Sequence, residues 1–427
     1  MDLHSTLLGL ILLSAPTLAV ALTSSRCPAD HGQALSGTAV RRSTCPLPVD
    51  DYTASRTGEW SPWTEEPQCV YPEVEDWDED VKFCVYTFGT YNLGDGISLL
   101  TTPEAAANIA GALWNPEPAW RARKHRRRNT NSEASGEIKY RLEEIPGKGI
   151  GAVATQKILR KEVFITDLPS LLIDARLETL SERPIEEFEE ERKEIYEKAV
   201  ANLLGKDRVL RLASSRGDST VDDIFKTNSF LVAMDEGGNH NGLFPEIARI
   251  NHDCDPNASA RFSNEKFTMT AMALRDIEPG EEISFNYIPW GLASDHRDYM
   301  TTHFFGFKCR CSLCTAPPED IKLSDTRRRR IQELEVSLHS GNEPYESAVD
   351  KTQELLNLAN EEGLHGKMQE FYLDLMGVFY DYGDYQNALV FAEMALNLAK
   401  DFEEPGGSVI SGIRANIGVL RGLVETS

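Results

Sequence analysis

The most informative segment of this 427-residue chain reads RINHDCDPN, residues 249–257. It is a dense polar cluster next to apolar segments, and on its own it is equally well explained as a turn with a hydrogen-bonded histidine. Asn251 and His252 can, however, offer paired hydrogen bonds to a ligand that carries an amino-acid head and a base. Three further motifs, on both sides of this segment, favour the second interpretation.

The cysteine-rich motif FKCRCSLC follows at residues 307–314. Its three closely spaced thiols are poorly placed to form disulfides with one another. Tetrahedral zinc requires four ligands, and the only other cysteine in the downstream part of the chain is Cys254. The sequence therefore predicts a four-thiolate zinc site, in preference to disulfides or free thiols. Its ligands would be Cys254, Cys309, Cys311 and Cys314.

Two glycine-containing motifs complete the set. GKGIG (147–151) permits positive φ and a close approach of a ligand to the backbone. A dinucleotide site would need G-x-G-x-x-G at the start of a helix, whereas the following AVATQKI has the pattern of a strand. GEEISFNY (280–287) turns into a short strand that ends in Tyr287. Each of these two motifs, taken alone, is best explained by a plain hairpin.

In this order the four motifs resemble the SET-domain lysine methyltransferases, over about residues 137–316. The C-x-C-x-x-C pattern, the helical C-terminus, TNSF (227–230) and GLFP (242–245) are most similar to the SET-and-MYND branch. The chain differs from that branch in one respect: no MYND zinc finger interrupts the segment 152–200. Its start resembles that of fungal SET-domain proteins with an N-terminal signal and a cysteine-containing segment. The resemblance implies an α+β protein. It would combine a β-rich SET fold, which has small sheets and a knot-like C-terminal part, with a post-SET zinc site and an all-α tetratricopeptide-like domain.

The same resemblance implies S-adenosylmethionine-dependent methyl transfer to a lysine ε-amine of a protein substrate, held in an aromatic channel. The cofactor would be bound by the backbone of the first glycine motif and by side chains elsewhere: Lys148, Gly149, Ile150, Gly151, Asn228, Asn251, His252 and Phe307. Phe307 would stack on the adenine. Tyr287 would lie beside the methyl group, and Phe285 would limit how many methyl groups fit. Phe305 would stand where the family has a tyrosine in the lysine channel.

Two departures from the family pattern leave an alternative function open. One is Phe305, and the other is Ala248, which occupies a position where a serine often contacts the cofactor. A catalytically impaired SET fold would act as a binding or scaffold protein through its helical C-terminal domain. A third hypothesis places the function in residues 23–118, as a secreted interaction protein.

The chemistry and the charge are compatible with a lysine methyltransferase. The nucleophile must be a neutral amine, and burial in an aromatic channel lowers a lysine pKa from its ordinary value near 10.4. The formal net charge of −24 suits a lysine-rich protein substrate, and it argues against direct nucleic-acid binding.

The N-terminus has the pattern of a secretory signal over residues 1–22. The apolar run LLGLILLSAPTLAVAL (7–22) ends in an A-x-A cleavage site, although Asp2 stands where a basic residue is usual. A membrane anchor and a cytosolic start are the alternatives, and no transmembrane segment is expected after cleavage. A signal favours the secretory pathway or the extracellular space, with nucleus or cytoplasm as the alternative compartments.

Residues 23–118 form a predicted acidic unit that contains four widely spaced cysteines. After a signal such cysteines suggest two disulfides, and three pairings of Cys27, Cys45, Cys69 and Cys84 are open. FCVYTF (83–88) and GISLLTT (96–102) have the pattern of strands, and PEAAANIAGAL (103–113) that of a helix. A basic linker follows at 119–136.

The remaining boundaries follow from composition and periodicity. The SET region is predicted at 137–290 with a helical insertion at about 177–245, and the post-SET zinc segment at 291–318. Residues 319–427 show helical periodicity throughout and resemble tetratricopeptide hairpins. Such hairpins would imply a peptide partner, and plain helical packing is the alternative.

Overall fold

The computed structural model describes residues 63–70, 82–113, 138–179, 185–214, 217, 220–234, 238–264, 266–341, 343–403 and 407–426. The predicted signal segment, the basic linker, Cys27 and Cys45 lie outside these residues. Every described residue belongs to one compact unit.

The described strands form three sheets. In chain order they are β1 (Gln68–Val70), β2 (Phe83–Phe88), β3 (Ile97–Thr101), β4 (Tyr140–Ile145), β5 (Gly149–Ala154), β6 (Val163–Asp167), β7 (Leu171–Asp174), β8 (Phe230–Met234), β9 (Gly238–Leu243), β10 (Asn251–His252), β11 (Ala258–Ser263), β12 (Thr268–Ala273) and β13 (Glu282–Phe285). The sheet orders are β1-β2-β3-β7-β9-β8, β10-β13-β5-β4 and β11-β12-β6.

The described helices are partly interspersed with these strands and partly grouped at the C-terminus. They are α1 (Tyr91–Gly94), α2 (Pro103–Leu113), α3 (Arg176–Thr179), α4 (Ile185–Ala201), α5 (Lys206–Leu210), α6 (Val221–Asn228), α7 (Ser294–Phe305), α8 (Pro318–His339), α9 (Tyr345–Glu361), α10 (Met368–Asp381), α11 (Tyr385–Phe402) and α12 (Ser408–Thr426). Short 3-10 turns lie at Ile247–Arg249 and His365–Lys367.

The six-stranded sheet joins strands from two segments that are far apart in the sequence. β2 and β3 are almost entirely buried, which explains why they read as continuous apolar runs rather than alternating patterns. The strands predicted at 83–88 and 96–102 and the helix predicted at 103–113 are therefore confirmed. β3 pairs in parallel with β7, so strands from the acidic N-terminal segment extend a sheet of the motif-bearing region. A disulfide joins Cys69 and Cys84 at directly opposed positions of β1 and β2.

One end of this sheet contains a polar network, here called the sheet network, in which the exposed Arg176 caps the buried Thr101, Asp174 and His240. The Nε2 atom of His240 lies 2.9 Å from the hydroxyl of Thr101, which lies 3.3 Å from Oδ2 of Asp174. Arg176 donates from Nε to Oδ1 of Asp174 and from Nη2 to Oδ2, at 2.9 and 2.7 Å. The carboxylate therefore has a cationic partner, and the network links β3, β7 and β9.

The acidic insertion folds as the predicted amphipathic helix α4. Ile195, Tyr196, Ala199 and Val200 are buried against the apolar side chains of β2 and β3. Leu204 lies beyond the end of α4 at Ala201 and is 78% exposed.

The five C-terminal helices confirm the predicted helical region. Alanines at 388, 392, 395 and 399 of α11 are fully buried, and their small side chains let neighbouring helices approach closely. The helices contact the preceding part of the chain at several places. Asp325 of α8 accepts hydrogen bonds from Ser294, and Arg261 of β11 donates to the carbonyl of Phe402. Among the described residues, no helix is long and apolar enough to cross a membrane.

Candidate active site and cysteine cluster

A parallel pairing between two short strands brings the sequence motifs together. β10 lies beside β13, with Asn251 opposite Ser284 and His252 opposite Phe285. β13 also pairs with β5, which follows the glycine turn. In that turn Gly147 and Gly149 adopt positive φ, at 76° and 72°, so the motif is a hairpin that leads into a strand. The three motifs thus share one sheet.

Asn251 and Lys148 converge on the carboxylate of Glu282. Asn251 Nδ2 donates to Oε1 at 3.1 Å, and Lys148 Nζ lies 2.7 Å from Oε2. A side chain at Gly151 would place its Cβ 2.5 Å from Asn251 Nδ2, so only glycine allows this approach. Within the described residues the side-chain oxygen Oδ1 of Asn251 accepts no hydrogen bond from the protein. It is therefore available to a donor such as an ammonium group.

His252 connects Tyr287 to the cysteines. Its Nδ1 accepts the backbone N–H of Tyr287 at 3.1 Å, and its Nε2 lies 3.2 Å from Sγ of Cys254. Burial, reinforced by the positive charges of Lys148 and Arg297, lowers the pKa of His252 to about 4 against the opposing effect of Cys311. The neutral ring therefore has its proton on Nε2 and donates it towards the sulfur. Both ring nitrogens are occupied, so a cofactor could contact His252 only through its backbone.

Tyr287 lies at the centre of an aromatic group. Ring centroids of His252, Phe305 and Phe307 lie 5.3, 5.2 and 6.5 Å from that of Tyr287. The Tyr287 hydroxyl donates to the carbonyl of Ile250 at 2.5 Å. Burial, and then the negative charge of Glu282, raise the pKa of Tyr287 well above its usual value of about 10, so the hydroxyl remains protonated.

Other predicted site residues lie apart from this group. Phe285 is buried against Phe230, with ring centroids 6.4 Å apart. Asn228 ends α6, and its amide donates to the carbonyls of Ala213 and Ile224 at 2.7 and 2.6 Å. Phe304, the neighbour of Phe305 in α7, is 54% exposed and packs with Tyr299 and His303.

The four predicted metal ligands do come together. Sγ of Cys254 lies 3.8 Å from that of Cys309 and 3.7 Å from that of Cys314. All four sulfurs lie within 4.8 Å of one another. A tetrahedral site with Zn–S distances of about 2.3 Å has sulfur–sulfur edges of about 3.8 Å, so the geometry of the donor set fits zinc. Hydrogen bonding by the neighbouring thiols, first that of Cys254, lowers the pKa of Cys311 to about 5.

Three residues of the site escape sequence reasoning. Glu282 positions Asn251, and the buried Asn257 holds β13 by donating to the carbonyl of Glu282 and accepting from the N–H of Ser284. Glu282 and Asn257 both stand inside the sequence motifs. Their polar side chains next to a strand are the only feature of the sequence that could have indicated a role in the site. Arg297 of α7 is buried next to the cysteines, and no spacing rule indicates it.

Comparison with known proteins identifies the part of the chain in which these motifs meet. The model of the SET domain family matches residues 149–288. This region is a SET domain. The match begins in the glycine hairpin, includes Asn251, His252 and Cys254, and ends just after Tyr287.

The SET domain and its surroundings are similar to named methyltransferases. Histone-lysine N-methyltransferase set5 of Schizosaccharomyces pombe is 27% identical over 258 residues, which cover 60% of this chain and 76% of that protein. Histone-lysine N-methyltransferase SMYD3 of Homo sapiens is 32% identical over 114 residues, 26% of each chain. Protein-lysine N-trimethyltransferase SMYD5 of Mus musculus is 32% identical over 111 residues, 24% of this chain and 26% of that protein.

These matches confirm the predicted resemblance to SET-domain lysine methyltransferases close to the SET-and-MYND branch. They also support the enzyme class, protein-lysine N-methyltransferase. Because the two SMYD alignments span only about a quarter of each protein, the substrate and partners of the whole chain are treated below as proposals.

Proposed function

We propose that this protein is an S-adenosylmethionine-dependent protein-lysine N-methyltransferase whose reaction takes place beside Tyr287. The observation that supports it most strongly is the meeting of Lys148, Gly151, Asn251 and Tyr287 around the β10–β13 pair, inside a SET domain. Three motifs that are separated in sequence share one small region, as the proposed reaction requires.

When bound, S-adenosylmethionine supplies an electrophilic methyl group on a sulfonium. The backbone of the glycine hairpin, from Lys148 to Gly151, would cradle it, with the free carbonyl oxygen of Asn251 accepting from its ammonium group. Phe307 would stack on the adenine, with Asn228 and the backbone of His252 contributing at the edge of the site. The residues fit because the acceptor at Asn251 is available and the hairpin is held close to it by Gly151.

The aromatic group would hold the lysine. Rings of Tyr287, Phe305 and Phe307 offer an apolar lining that disfavours the ammonium form, and so lowers the pKa of the incoming lysine. Their faces would attract the sulfonium of the cofactor by about 0.5–2 kcal/mol each. The Tyr287 hydroxyl cannot act as the base, because it is protonated and donates to the Ile250 carbonyl. Its role would be to fix the ring and the backbone that line the channel, and Phe285 would limit the space for additional methyl groups.

Zinc would be the structural metal of the four-cysteine cluster, as a post-SET site. The cluster ties the RINHDCDPN segment to the segment that follows α7 and presents Phe307. Zinc held there would contribute folding free energy and would keep Phe305 and Phe307 next to Tyr287.

The helices α10 and α11 form an antiparallel hairpin across a turn at Gly383, which supports a tetratricopeptide-like interpretation of the C-terminal domain. We propose that this domain provides a surface for a peptide partner. The scaffold alternative receives no specific support from the site, since the motifs converge despite Phe305 and Ala248.

Transfer of labelled methyl to lysine-containing proteins by the purified chain tests this function. Tyr287→Phe should lower the rate by about 10²-fold, because loss of the Ile250 hydrogen bond misplaces the ring beside the reacting atoms. Tyr299→Phe is the matched control: it makes the same change at an exposed ring of α7 and should leave the rate unchanged.

Full activity of Tyr287→Phe would remove Tyr287 from the reaction. Cofactor binding by calorimetry without transfer to any lysine protein would instead establish the scaffold alternative.

A further inference from the structure

A buried cation stands beside the cysteine cluster without a carboxylate partner. Arg297 of α7 is 3% exposed, and it forms no ion pair among the described residues. Its Nη1 donates to the carbonyl of Leu292 at 2.8 Å, whereas its Nε is buried and has no hydrogen-bond partner. Leu292, which accepts this hydrogen bond, packs in the apolar cluster that contains Cys254, Cys309 and Cys311. Burial opposes the charge of Arg297, but hydrogen bonding to Cys314 and the charges of Cys314 and Cys254 raise its pKa above the ordinary value.

The nearest buried acid does not neutralise this cation directly. Both carboxylate oxygens of Asp325 are occupied by Ser294, which donates from its N–H at 2.7 Å and from its hydroxyl at 2.6 Å. Asp325 therefore acts on Arg297 only at a distance. A buried guanidinium without a charge partner is costly, so an anionic group must face it.

The cysteine cluster would be that anionic group once it holds a metal. Four thiolates and one divalent cation together have a net charge of −2. Among the described side chains, Arg297 faces this charge at Cys314, and His252 faces it at Cys254 with its Nε2–H. One is a full positive charge and the other is a neutral dipole, so Arg297 supplies most of the compensation.

We propose that Arg297 is the counter-cation of the four-cysteine metal centre and that its charge sets the affinity of the centre for zinc. The proposal rests on the zinc site of the proposed function. It makes Arg297 a positioning residue, since it acts through Cys314 and does not touch the substrate. It also connects the metal centre to the C-terminal helices, because Ser294, one turn before Arg297 on α7, is bound to Asp325 of α8.

Zinc competition between the full-length protein and a coloured chelator tests the proposal. Arg297→Gln keeps a polar side chain but removes the charge, and it should weaken zinc binding by about 10–100-fold, the usual cost of losing an outer-shell partner. Arg297→Lys retains the charge and should stay much closer to the wild type. Arg310→Met is the control, since Arg310 is exposed and lies between two of the ligand cysteines.

Equal zinc affinity in the glutamine and lysine variants would overturn the proposal. The free energy of unfolding, measured with zinc and with chelator, separates the charge effect from simple loss of packing. A structural role would destabilise both forms equally, and that result would also contradict the proposal. Absence of zinc from the wild-type protein would instead refute the metal site itself.

Discussion

The sheet network and the cysteine cluster both contain buried polar side chains, but their charges are balanced in different ways. In the sheet network the carboxylate of Asp174 has its own cation, Arg176, and neutral partners surround the pair. In the cysteine cluster Arg297 has no carboxylate, and four sulfurs face one another. Where the protein supplies both charges of a pair, as in the sheet network, the pair stabilises the fold. Where a buried charge has no opposite charge from the protein, as with Arg297, the group indicates a bound ligand.

The two groups also connect different parts of the chain. The sheet network fastens β3, from the acidic N-terminal segment, to β7 and β9. The cysteine cluster fastens the Asn251–Cys254 segment to the chain after α7, and through His252 it reaches the backbone of Tyr287. We therefore expect changes in the first group to affect stability and changes in the second to affect both metal content and catalysis.

The largest expected effect is that of Cys254→Ser. Loss of one thiolate should release the metal and lower the free energy of unfolding by several kcal/mol, because metal binding and folding of the region are coupled. Metal analysis and denaturant unfolding of the purified protein would measure both quantities.

Cys84→Ser is the matched control, because it removes a disulfide cysteine of the sheet and should leave the zinc content unchanged. Unchanged metal in Cys254→Ser would show that the four cysteines do not form one site.

A smaller effect is expected from acid acting on the sheet network. Burial lowers the pKa of His240, against the opposing charge of Asp174 and with a minor contribution from Arg176. Because the folded pKa is below the unfolded value near 6.5, the unfolded chain binds the proton more readily. The free energy of unfolding should therefore decrease as pH falls below about 6.5, by up to about 1.4 kcal/mol per pH unit.

This dependence should be reduced in His240→Gln and retained in His365→Gln, which alters an exposed histidine. Chemical unfolding at a series of pH values with saturating zinc would measure it. Identical slopes in all three proteins would mean that His240 does not titrate with unfolding.

Local patterns account for much of the fold and for part of the site. The C-terminal helices, the strands at 83–88 and 97–101 and the four cysteine ligands follow from periodicity, apolar runs and spacing. These signals are local in the sequence. Cys254 is the exception, because it was inferred from the four ligands that zinc needs. The parallel pairing of β3 with β7 has no such signal, because it joins segments about 70 residues apart through backbone hydrogen bonds.

The same distinction explains which site residues could be predicted. Asn251, His252 and Tyr287 stand in dense motifs, whereas Arg297 stands in a helix with ordinary composition. Its role depends on burial next to Cys314, which only the folded chain shows. The difference between Phe304 and Phe305 also depends on the folded chain: neighbours in sequence on a helix face different directions, so Phe305 joins Tyr287 and Phe304 does not.

The most direct test of the account is to identify the atom that receives the methyl group. The purified protein, S-adenosylmethionine and a lysine-rich protein would be incubated together, and the products analysed by fragmentation mass spectrometry. The account predicts methylation of lysine ε-amines, in amounts that fall sharply with Tyr287→Phe and not with Tyr299→Phe. Methylation confined to other residue types, or lysine methylation that is the same in both variants, would contradict it.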